Sequence, residues 1–420
     1  MCPDIPVFSL TQTQYPDVIV WVDDSGIAHA RDTKTGSIVA EGSDHAAVAR
    51  AAIDAAPDGG LVYFKYAELR GKVVIDRDNV RIAGNVHAAA PLDALFETSG
   101  YRKFIYFENL YVDGREQVDA IFKVHGISIY FVNAVIKNLK PQNGIGIWAG
   151  FDSSLDAGHE LTVLGCRIYG GSGHTLDNAS DIAIKLDRMS DNYIGGGTII
   201  SDIGKYDIHM TPGAPTLWIS DIHIYSQDVY NVYAQAPNLF INDAYIEAGK
   251  RGVVYVDASG VPTLGGVRIY NSWLNTYLTP LDTYSIVTLD GSVNQIFDVS
   301  IRDCIMNGGD GVNSRAKYSV ELKGNVGHVT IENCSPLYES GGGVLNWSKT
   351  RNMGVAYIPA GSSYVDVNHG LIRAPDKVFL TILNASPDSL SVSNITPTTF
   401  RINRTSTAYD TWVQWEAVTF

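Results

Sequence analysis

Hydrophobic and polar residues alternate in short phrases that recur along the middle of the chain. Between residues 182 and 323, one phrase sets apolar side chains two positions apart with a polar or aromatic residue between them. The phrase begins at Ile182, Tyr206, Asn231, Val253, Ile286 and Ser319. A period of two is typical of β-strands, because successive side chains point to opposite faces. Repetition of one strand phrase predicts a solenoid of parallel β-coils.

A second phrase runs in step with the first and contains one short polar residue. That residue recurs every 22 to 32 positions, at Asp221, Asp243, Asn271, Asp303 and Asn333. Asp and Asn at a repeated corner bond the neighbouring backbone and form ladders. We therefore assign these five residues a structural role and exclude them from the candidate site.

One helical pattern precedes the coils, between Asp44 and Ala56. Apolar residues fall at helical spacing there, Ser43 or Asp44 can cap its start, and Pro57-Asp-Gly-Gly60 ends it. The helix leads into the first coil strand. We expect it to cover the end of the stack, since an exposed terminal coil would offer unpaired backbone groups.

The changes of pattern predict three parts. Residues 1–41 form an N-terminal β-hairpin module, residues 42–358 form the parallel β-helix with its capping helix, and residues 359–420 form an antiparallel β-sandwich. The last part is assigned to glycan binding or trimerisation. Its alternating strands differ in character from the coil phrases, which stop around residue 340.

Composition and charge exclude several classes of function. The 420 residues carry a net charge of −14 with no basic cluster, which argues against nucleic-acid binding. The chain contains no run of eighteen apolar residues, so no membrane-spanning helix is predicted. The four cysteines show no CxxC spacing, so neither a zinc site nor a resident cofactor is expected. Cys304 and Cys334 fall at equivalent places on successive coils and are expected to stack as buried thiols, with a disulfide as the alternative.

Three stretches carry a resemblance to a known family. The segment from Gly42 to Phe64 resembles the start of the pectate-lyase-like, right-handed parallel β-helix superfamily, which includes phage and archaeal-virus tailspikes. The segment from Tyr15 to Glu41 is similar to the hairpin that precedes such helices in archaeal members. The segments Asn368-His-Gly-Leu-Ile-Arg and Trp412-Val-Gln-Trp-Glu-Ala resemble terminal β-domains of viral fibres and the H-type lectin-like fold.

The resemblance implies an all-β protein: a right-handed parallel β-helix followed by an antiparallel β-sandwich, assembled as a homotrimer. It also implies a spike on the virion surface or another extracellular surface, joined to a virion or tail base protein through its N-terminus. Such a spike attaches to host-surface polysaccharide or glycoprotein. The alternatives are a polysaccharide depolymerase on the same scaffold, either a lyase or a glycoside hydrolase, and a cellular surface adhesin or envelope protein. The catalytic motifs of polygalacturonase-type relatives are missing, since Gly308-Gly-Asp-Gly311 has a single Asp.

Alternation along the first phrase places two columns of side chains on one outer face of the coils. The first column reads Lys185, His209, Tyr233, Tyr255, Thr288 and Glu321, and the second reads Asp187, Thr211, Gln235, Asp257, Asp290 and Lys323. Tyrosine rings stack on pyranose rings, while charged and amide groups bond sugar hydroxyls. The predicted glycan contacts are Tyr233, Tyr255, Gln235, Asp187, Trp148, Trp412 and Trp415. The alternative is a solvated face with Tyr present for its β-propensity.

Candidate catalytic residues lie in the same columns. Asp257 and Asp290 fall on adjacent coils, so their Cα atoms should lie about 4.8 Å apart. Retaining glycosidases hold their two carboxyl groups roughly 5–5.5 Å apart, which makes this pair the best hydrolase geometry in the chain. Each also begins a turn, where Asp commonly accepts backbone amides, and this structural interpretation is favoured. A lyase would need a base such as Lys185 or His209 and a cation such as Ca²⁺, which Asp187 and Asp207 could recruit.

Overall fold

The computed structural model describes residues 15–171, 181–226, 229–276, 283–309, 315–334, 351–371, 373–384 and 388–419. The described chain opens with three strands, β1 (Val18–Val22), β2 (Ala28–Asp32) and β3 (Ile38–Gly42), followed by helix α1 (His45–Ala55). The three strands pair antiparallel in sequence order, and β1 also pairs in parallel with the strand that follows α1. The N-terminal module is therefore hydrogen-bonded directly onto the stack of coils.

Helix α1 begins and ends where its sequence predicts. The Asp44 side chain caps it by accepting a hydrogen bond from the Ala47 amide at 3.1 Å. The apolar face buries Val48, Ala52 and Ile53 in the main core. The helix contacts β1, β2, β3 and the first coil strands, so it covers the N-terminal end of the stack.

The coils follow as a continuous series of mainly short strands. In chain order these are β4 (Leu61–Leu69), β5 (Val73–Ile75), β6 (Val80–Ala88), β7 (Leu92–Thr98), β8 (Arg102–Asp113), β9 (Val118–Val124), β10 (Gly126–Val132), β11 (Val135–Lys137), β12 (Ile145–Ala149), β13 (Gly158–Leu164), β14 (Arg167–Tyr169), β15 (Ile182–Leu186), β16 (Met189–Ser190), β17 (Asn192–Ser201), β18 (Tyr206–Met210), β19 (Leu217–Tyr225), β20 (Tyr230–Ala234), β21 (Leu239–Glu247), β22 (Val254–Asp257), β23 (Thr263–Tyr270), β24 (Trp273–Asn275), β25 (Val287–Arg302), β26 (Ile305–Asn307), β27 (Val320–Val326) and β28 (Val329–Glu332).

Each coil contributes to three faces. Face A is formed by β5, β7, β9, β12, β15, β18, β20, β22, the start of β25, and β27, all paired in parallel. Face B holds the first halves of long strands such as β19 and β21, and face C holds their second halves. Such stacking defines a parallel β-helix. It is right-handed, the hand that parallel crossovers adopt in nearly all proteins.

The corner between faces B and C is a single left-handed residue. The predicted polar residues occupy it with φ between 47° and 54°: Asp221, Asp243, Asn271, Asp303 and Asn333. Asp and Asn tolerate this backbone region better than other non-glycine residues. A side-chain bond links the last two corners, from Asn333 Nδ2 to Asp303 Oδ1 at 3.1 Å. The structural role of the five residues is confirmed, and the backbone conformation, rather than a continuous side-chain ladder, explains why these residue types recur.

The interior of the coils is apolar, with aromatic rings concentrated in the early coils. Phe96 stacks on Phe122 at 5.2 Å and Phe107 stacks on Phe131 at 4.7 Å, all fully buried. Later coils are filled by Ile, Leu and Val. Cys304 and Cys334 are free thiols on successive coils, as expected from the sequence, although only Cys304 is buried and Cys334 is partly exposed. No helix in the described ranges is long and apolar enough to cross a membrane.

The C-terminal strands form two antiparallel sheets. They are β29 (Arg351–Ile358), β30 (Tyr364–Asn368), β31 (Lys377–Ile382), β32 (Leu390–Ser393), β33 (Thr399–Arg404) and β34 (Thr411–Val418). The first sheet has the order β29-β34-β31 and the second β30-β33-β32. Phe400, Ile402 and Val413 are fully buried in the core between them. Because β29 pairs with β34 along its whole length, these sheets begin before the boundary predicted at residue 359.

Candidate functional site

The two predicted columns form in register on face A. Lys185 pairs with His209, which pairs with Tyr233, and the series continues through Tyr255 to Thr288. Trp148 precedes Lys185 in the same column. The alternation of the sequence therefore places these side chains correctly on successive coils. Thr288 is buried and interrupts the open part of the column after Tyr255, while on the other side the column continues past Trp148 to Lys123, which is also partly exposed.

Diagonal hydrogen bonds connect the two columns. An aromatic donor in the first column reaches a carboxylate in the second column one coil further on: Trp148 Nε1 to Asp187 at 2.5 Å, Tyr233 Oη to Asp257 at 2.7 Å, and Tyr255 Oη to Asp290 at 2.5 Å. Gln235 Nε2 also donates to Asp257 at 3.0 Å. These charge-assisted bonds fix the orientation of the three rings, which are partly exposed at the surface.

Two further tyrosines widen the aromatic surface of face A. Tyr206 lies 4.9 Å from Tyr233 and Tyr230 lies 4.6 Å from Tyr255, measured between ring centroids. Burial raises the pKa of Tyr230 to about 12. Burial and the bonded carboxylates also raise the pKa of Tyr233 and Tyr255, so these phenols remain donors at neutral pH.

Tyr206 and Tyr230 were missed by the sequence analysis. By strand alternation each tyrosine falls at a position that should point inward. Each is, however, the first residue of its strand, at the corner between faces, and is partly exposed. Their repetition at equivalent positions of successive phrases, confirmed by their pairing, was the available signal.

Lys185 and His209 are poorly arranged to act as a base. Lys185 Nζ lies 2.9 Å from Asp187 and 4.3 Å from the centre of the Trp148 ring. His209 is partly covered by its neighbours, and burial lowers its pKa to about 4. Its Nδ1 is buried with no hydrogen-bond partner in the described chain. A histidine with so low a pKa is neutral and weakly basic at pH 7.

Asp257 and Asp290 pair in register, and both serve as turn acceptors. Asp257 accepts the Ser259 amide at 2.8 Å, and Asp290 accepts the Ser292 amide at 3.1 Å. Burial alone would raise the pKa of Asp290, but hydrogen bonds from Ser292 and Tyr255 hold it below its ordinary value. The favoured turn interpretation is confirmed. A glycosidase acid instead needs a carboxyl group with a raised pKa.

The carboxylates suggested for cation binding are separated by the fold. Asp187 lies on the outer column, whereas Asp207 is fully buried and accepts bonds from Ser226 at 2.6 Å and Asn231 at 2.9 Å. In the ranges that the structure describes, no three His, Cys, Asp or Glu side chains are grouped as metal ligands.

The two tryptophans of the terminal sandwich occupy different environments. Trp415 is only 6% exposed and stands edge-on to Phe400 at 5.5 Å, so it belongs to the core and leaves the candidate site. Trp412 is 47% exposed and lies 4.7 Å from Tyr357. Only Trp412 can therefore offer a ring face to a partner.

Comparisons with known proteins give matches in structure only. No protein-family model and no curated protein sequence matches the chain. The endo-xylogalacturonan hydrolase of Aspergillus tubingensis is 10% identical, with a TM-score of 0.48 over 77% of this chain and 94% of that one. A tailspike protein mutant of E. coli bacteriophage HK620, solved with a pentasaccharide, is 10% identical, with a TM-score of 0.45 over 93% and 92%.

A third structure is the A-module of mannuronan C-5 epimerase from Azotobacter vinelandii. It is 15% identical, with a TM-score of 0.40 over 70% of this chain and 91% of that one. At these identities the likeness concerns the fold alone. The parallel register of the coils establishes the architecture by itself, and the chain is a right-handed parallel β-helix.

Proposed function

We propose that the protein is a surface attachment protein that binds an extended glycan along face A. One observation carries the proposal: Trp148, Lys185, His209, Tyr233 and Tyr255 occupy one column on five successive coils, and all are partly exposed. With coils about 4.8 Å apart, the column is roughly 19 Å long. A surface of this length suits an oligosaccharide segment better than a single sugar.

The diagonal hydrogen bonds favour binding because they order the rings in advance. Immobilising a mobile side chain on binding costs about 0.5–1.5 kcal/mol. Trp148, Tyr233 and Tyr255 are already tied to carboxylates on the next coil. The exposed parts of these rings can therefore contact sugars without a large further loss of side-chain freedom.

The depolymerase alternative has less support from the same residues. His209 is neutral at pH 7, and Asp290 has a lowered pKa. Neither property suits the general base of a lyase or the general acid of a hydrolase. Incubation with a bound polysaccharide should release no reducing ends and no ultraviolet-absorbing unsaturated sugars. Release of either would favour the depolymerase instead.

Exposed apolar side chains support self-association through the terminal sandwich. The outer face of the first sheet carries six of them, 40–57% exposed: Met353, Val355, Tyr357, Phe379, Leu383 and Trp412. The outer face of the second sheet is polar, with Asp366, Asn368 and Arg401 among its residues. Gln414 and Glu416 lie between the apolar side chains on the central strand, so the face is mixed, and its exposed apolar groups are of the kind that mark interaction surfaces.

We propose that three copies of this chain meet on the apolar face. The six half-exposed side chains offer on the order of 500 Å² of apolar surface, which is more than half of the ~800 Å² that each partner buries in a stable interface. Copies related by a threefold axis would bring identical patches together. The proposed spike would then project from a virion or other outer surface, with its N-terminal module toward a base protein. Val355→Glu should convert a trimer to monomers in light scattering, and an unchanged mass would contradict this interface.

Glycan binding itself is tested with a pair of matched double variants. Tyr233→Ala with Tyr255→Ala removes two rings of face A. Tyr106→Ala with Tyr130→Ala removes a stacked pair on face B, whose ring centroids are 4.7 Å apart and whose side chains are likewise partly exposed. On an array of microbial surface polysaccharides, the first variant should bind at least about tenfold more weakly, and the second should bind like the unmodified protein. Equal loss in both would contradict the placement of the site.

A further inference from the structure

A second aromatic cluster lies on face C, outside the proposed glycan column. On three successive coils, Tyr225, Glu247 and Asn275 occupy one column, and a neighbouring column holds His223, Tyr245 and Trp273. Tyr225 is 43% exposed and Trp273 is 38% exposed. These two rings are more open to solvent than any ring of the face A column, all of which are half-buried.

A fixed carboxylate lies between the two exposed rings in this register. Glu247 Oε1 is 3.3 Å from His223 Nε2, and Glu247 Oε2 accepts a hydrogen bond from Tyr245 Oη at 2.9 Å. Tyr245 in turn stands edge-on to Trp273, with 5.2 Å between centroids. A carboxylate offers about four acceptor positions. Glu247 is thus held in place and retains acceptor capacity for a ligand.

Asn275 adds a polar side chain to the same column. It follows Glu247 in the same column, is only 8% exposed, and its Oδ1 has no hydrogen-bond partner in the described chain. Buried polar atoms without partners are rare in folded proteins, because their desolvation is not compensated. The oxygen is also closed to solvent, so a ligand donor reaches it only if the Asn275 side chain turns outward.

We propose that Tyr225, Glu247, Trp273 and Asn275 form a second glycan site, which binds a neutral or N-acetylated sugar. The two exposed rings offer stacking surfaces for a pyranose, and both polar side chains accept hydrogen bonds from hydroxyl or amide N–H groups. A uronic acid is disfavoured, because its carboxylate would face Glu247 and no Lys or Arg belongs to the cluster. The choice of a sugar as the ligand rests on the proposed function, whereas the position of the site rests only on the geometry of face C.

The experiment uses the full chain on a printed array of neutral, N-acetylated and uronic-acid oligosaccharides. Trp273→Ala should weaken binding of neutral or N-acetylated sugars about tenfold or more, and it should leave uronic-acid binding unchanged. Glu247→Gln, a milder change, should weaken the same sugars. The matched control is Trp218→Ala on face B, where Trp218 is half-buried and stacks on Phe240 at 5.5 Å. This variant should bind as the unmodified protein does.

A second readout distinguishes loss of the binding site from a general folding defect. Neutral sugar should change the tryptophan fluorescence of the unmodified protein and of Trp218→Ala, but not that of Trp273→Ala. Neutral-sugar binding that is unaffected in Trp273→Ala overturns the face C site.

The double variant at Tyr233 and Tyr255 separates the two proposals. Loss of all sugar binding in that variant overturns the face C site and leaves the proposed function standing. If the double variant still binds sugar and the further change Trp273→Ala abolishes that binding, the face C site is supported and the face A site is overturned. Absence of any sugar binding by the unmodified protein overturns both.

Discussion

Removing one hydroxyl group from Tyr255 separates the two roles of its side chain on face A. Tyr255→Phe keeps the ring 4.6 Å from Tyr230 but removes the 2.5 Å hydrogen bond to Asp290. Hydrogen bonds to charged groups contribute about 1.5–3 kcal/mol. Because Tyr255 is half-buried and Asp290 keeps its bond from the Ser292 amide, we expect the lower end, about 1.5 kcal/mol, for the local stability of these coils.

Hydrogen exchange followed by mass spectrometry measures this local loss. A change of about 1.5 kcal/mol should make amides of β22 and the start of β25 exchange roughly tenfold faster if they open locally. Glycan affinity should fall no more than about twofold in Tyr255→Phe, whereas Tyr255→Ala should weaken it about tenfold. Unchanged exchange would refute the energetic role of the bond. Equal affinity losses in both variants would show that the hydroxyl, and not the ring, contacts the sugar.

The pH dependence of the same variant gives an independent check. The pKa of Asp290 is lowered from its ordinary value of 3.8. A carboxylate of this kind stabilises the fold above its unfolded pKa, and the contribution is lost as the pH falls through the folded value. The loss of stability in Tyr255→Phe relative to the unmodified protein should therefore have its full size at pH 7 and become smaller below about pH 4. A difference that grows in acid would contradict this assignment.

Three further changes test the scaffold. Phe122→Ala should remove about 3–5 kcal/mol, since the ring is fully buried against Phe96 and Phe107; unfolding in denaturant should be much faster, and an unchanged rate would contradict the packing. At the face B–C corner, Asn271→Val should cost about 1–2 kcal/mol because its φ is 47°, while Asn271→Gly should be nearly neutral; equal losses in thermal unfolding would show that the side-chain ladder matters more than the backbone. Asp44→Ala removes the cap of α1 and should cost about 1 kcal/mol, detected as faster hydrogen exchange in the first turn of that helix.

The columns and the helix could be predicted because each depends on local periodicity. Strand alternation fixes which residues point outward, and equal phrases must stack in register. This was sufficient to place Lys185, His209, Tyr233 and Tyr255 on successive coils. The diagonal hydrogen bonds could not be predicted, since they depend on how far a side chain reaches across to the next coil.

Other features depend on tertiary packing that periodicity does not report. Trp412 and Trp415 fall in one strand with opposite exposure only because of how β34 is oriented in the sandwich. Residues 351–358 lack the coil phrase, and only their pairing with β34 shows where they belong. The exposure of Tyr225 and Trp273 on face C likewise follows from the coil geometry rather than from their local sequence.

The coils vary in length chiefly at one corner. Between faces B and C the chain needs only one or two residues, but between faces C and A the connection is four residues after β19, six after β21, eleven after β24 and twelve after β26. Insertions and deletions there leave the register of the core unchanged. Both candidate glycan surfaces border this corner. Variants of the protein could thus acquire new recognition loops by simple indels while inheriting the same scaffold, which makes this corner the place to graft new specificity.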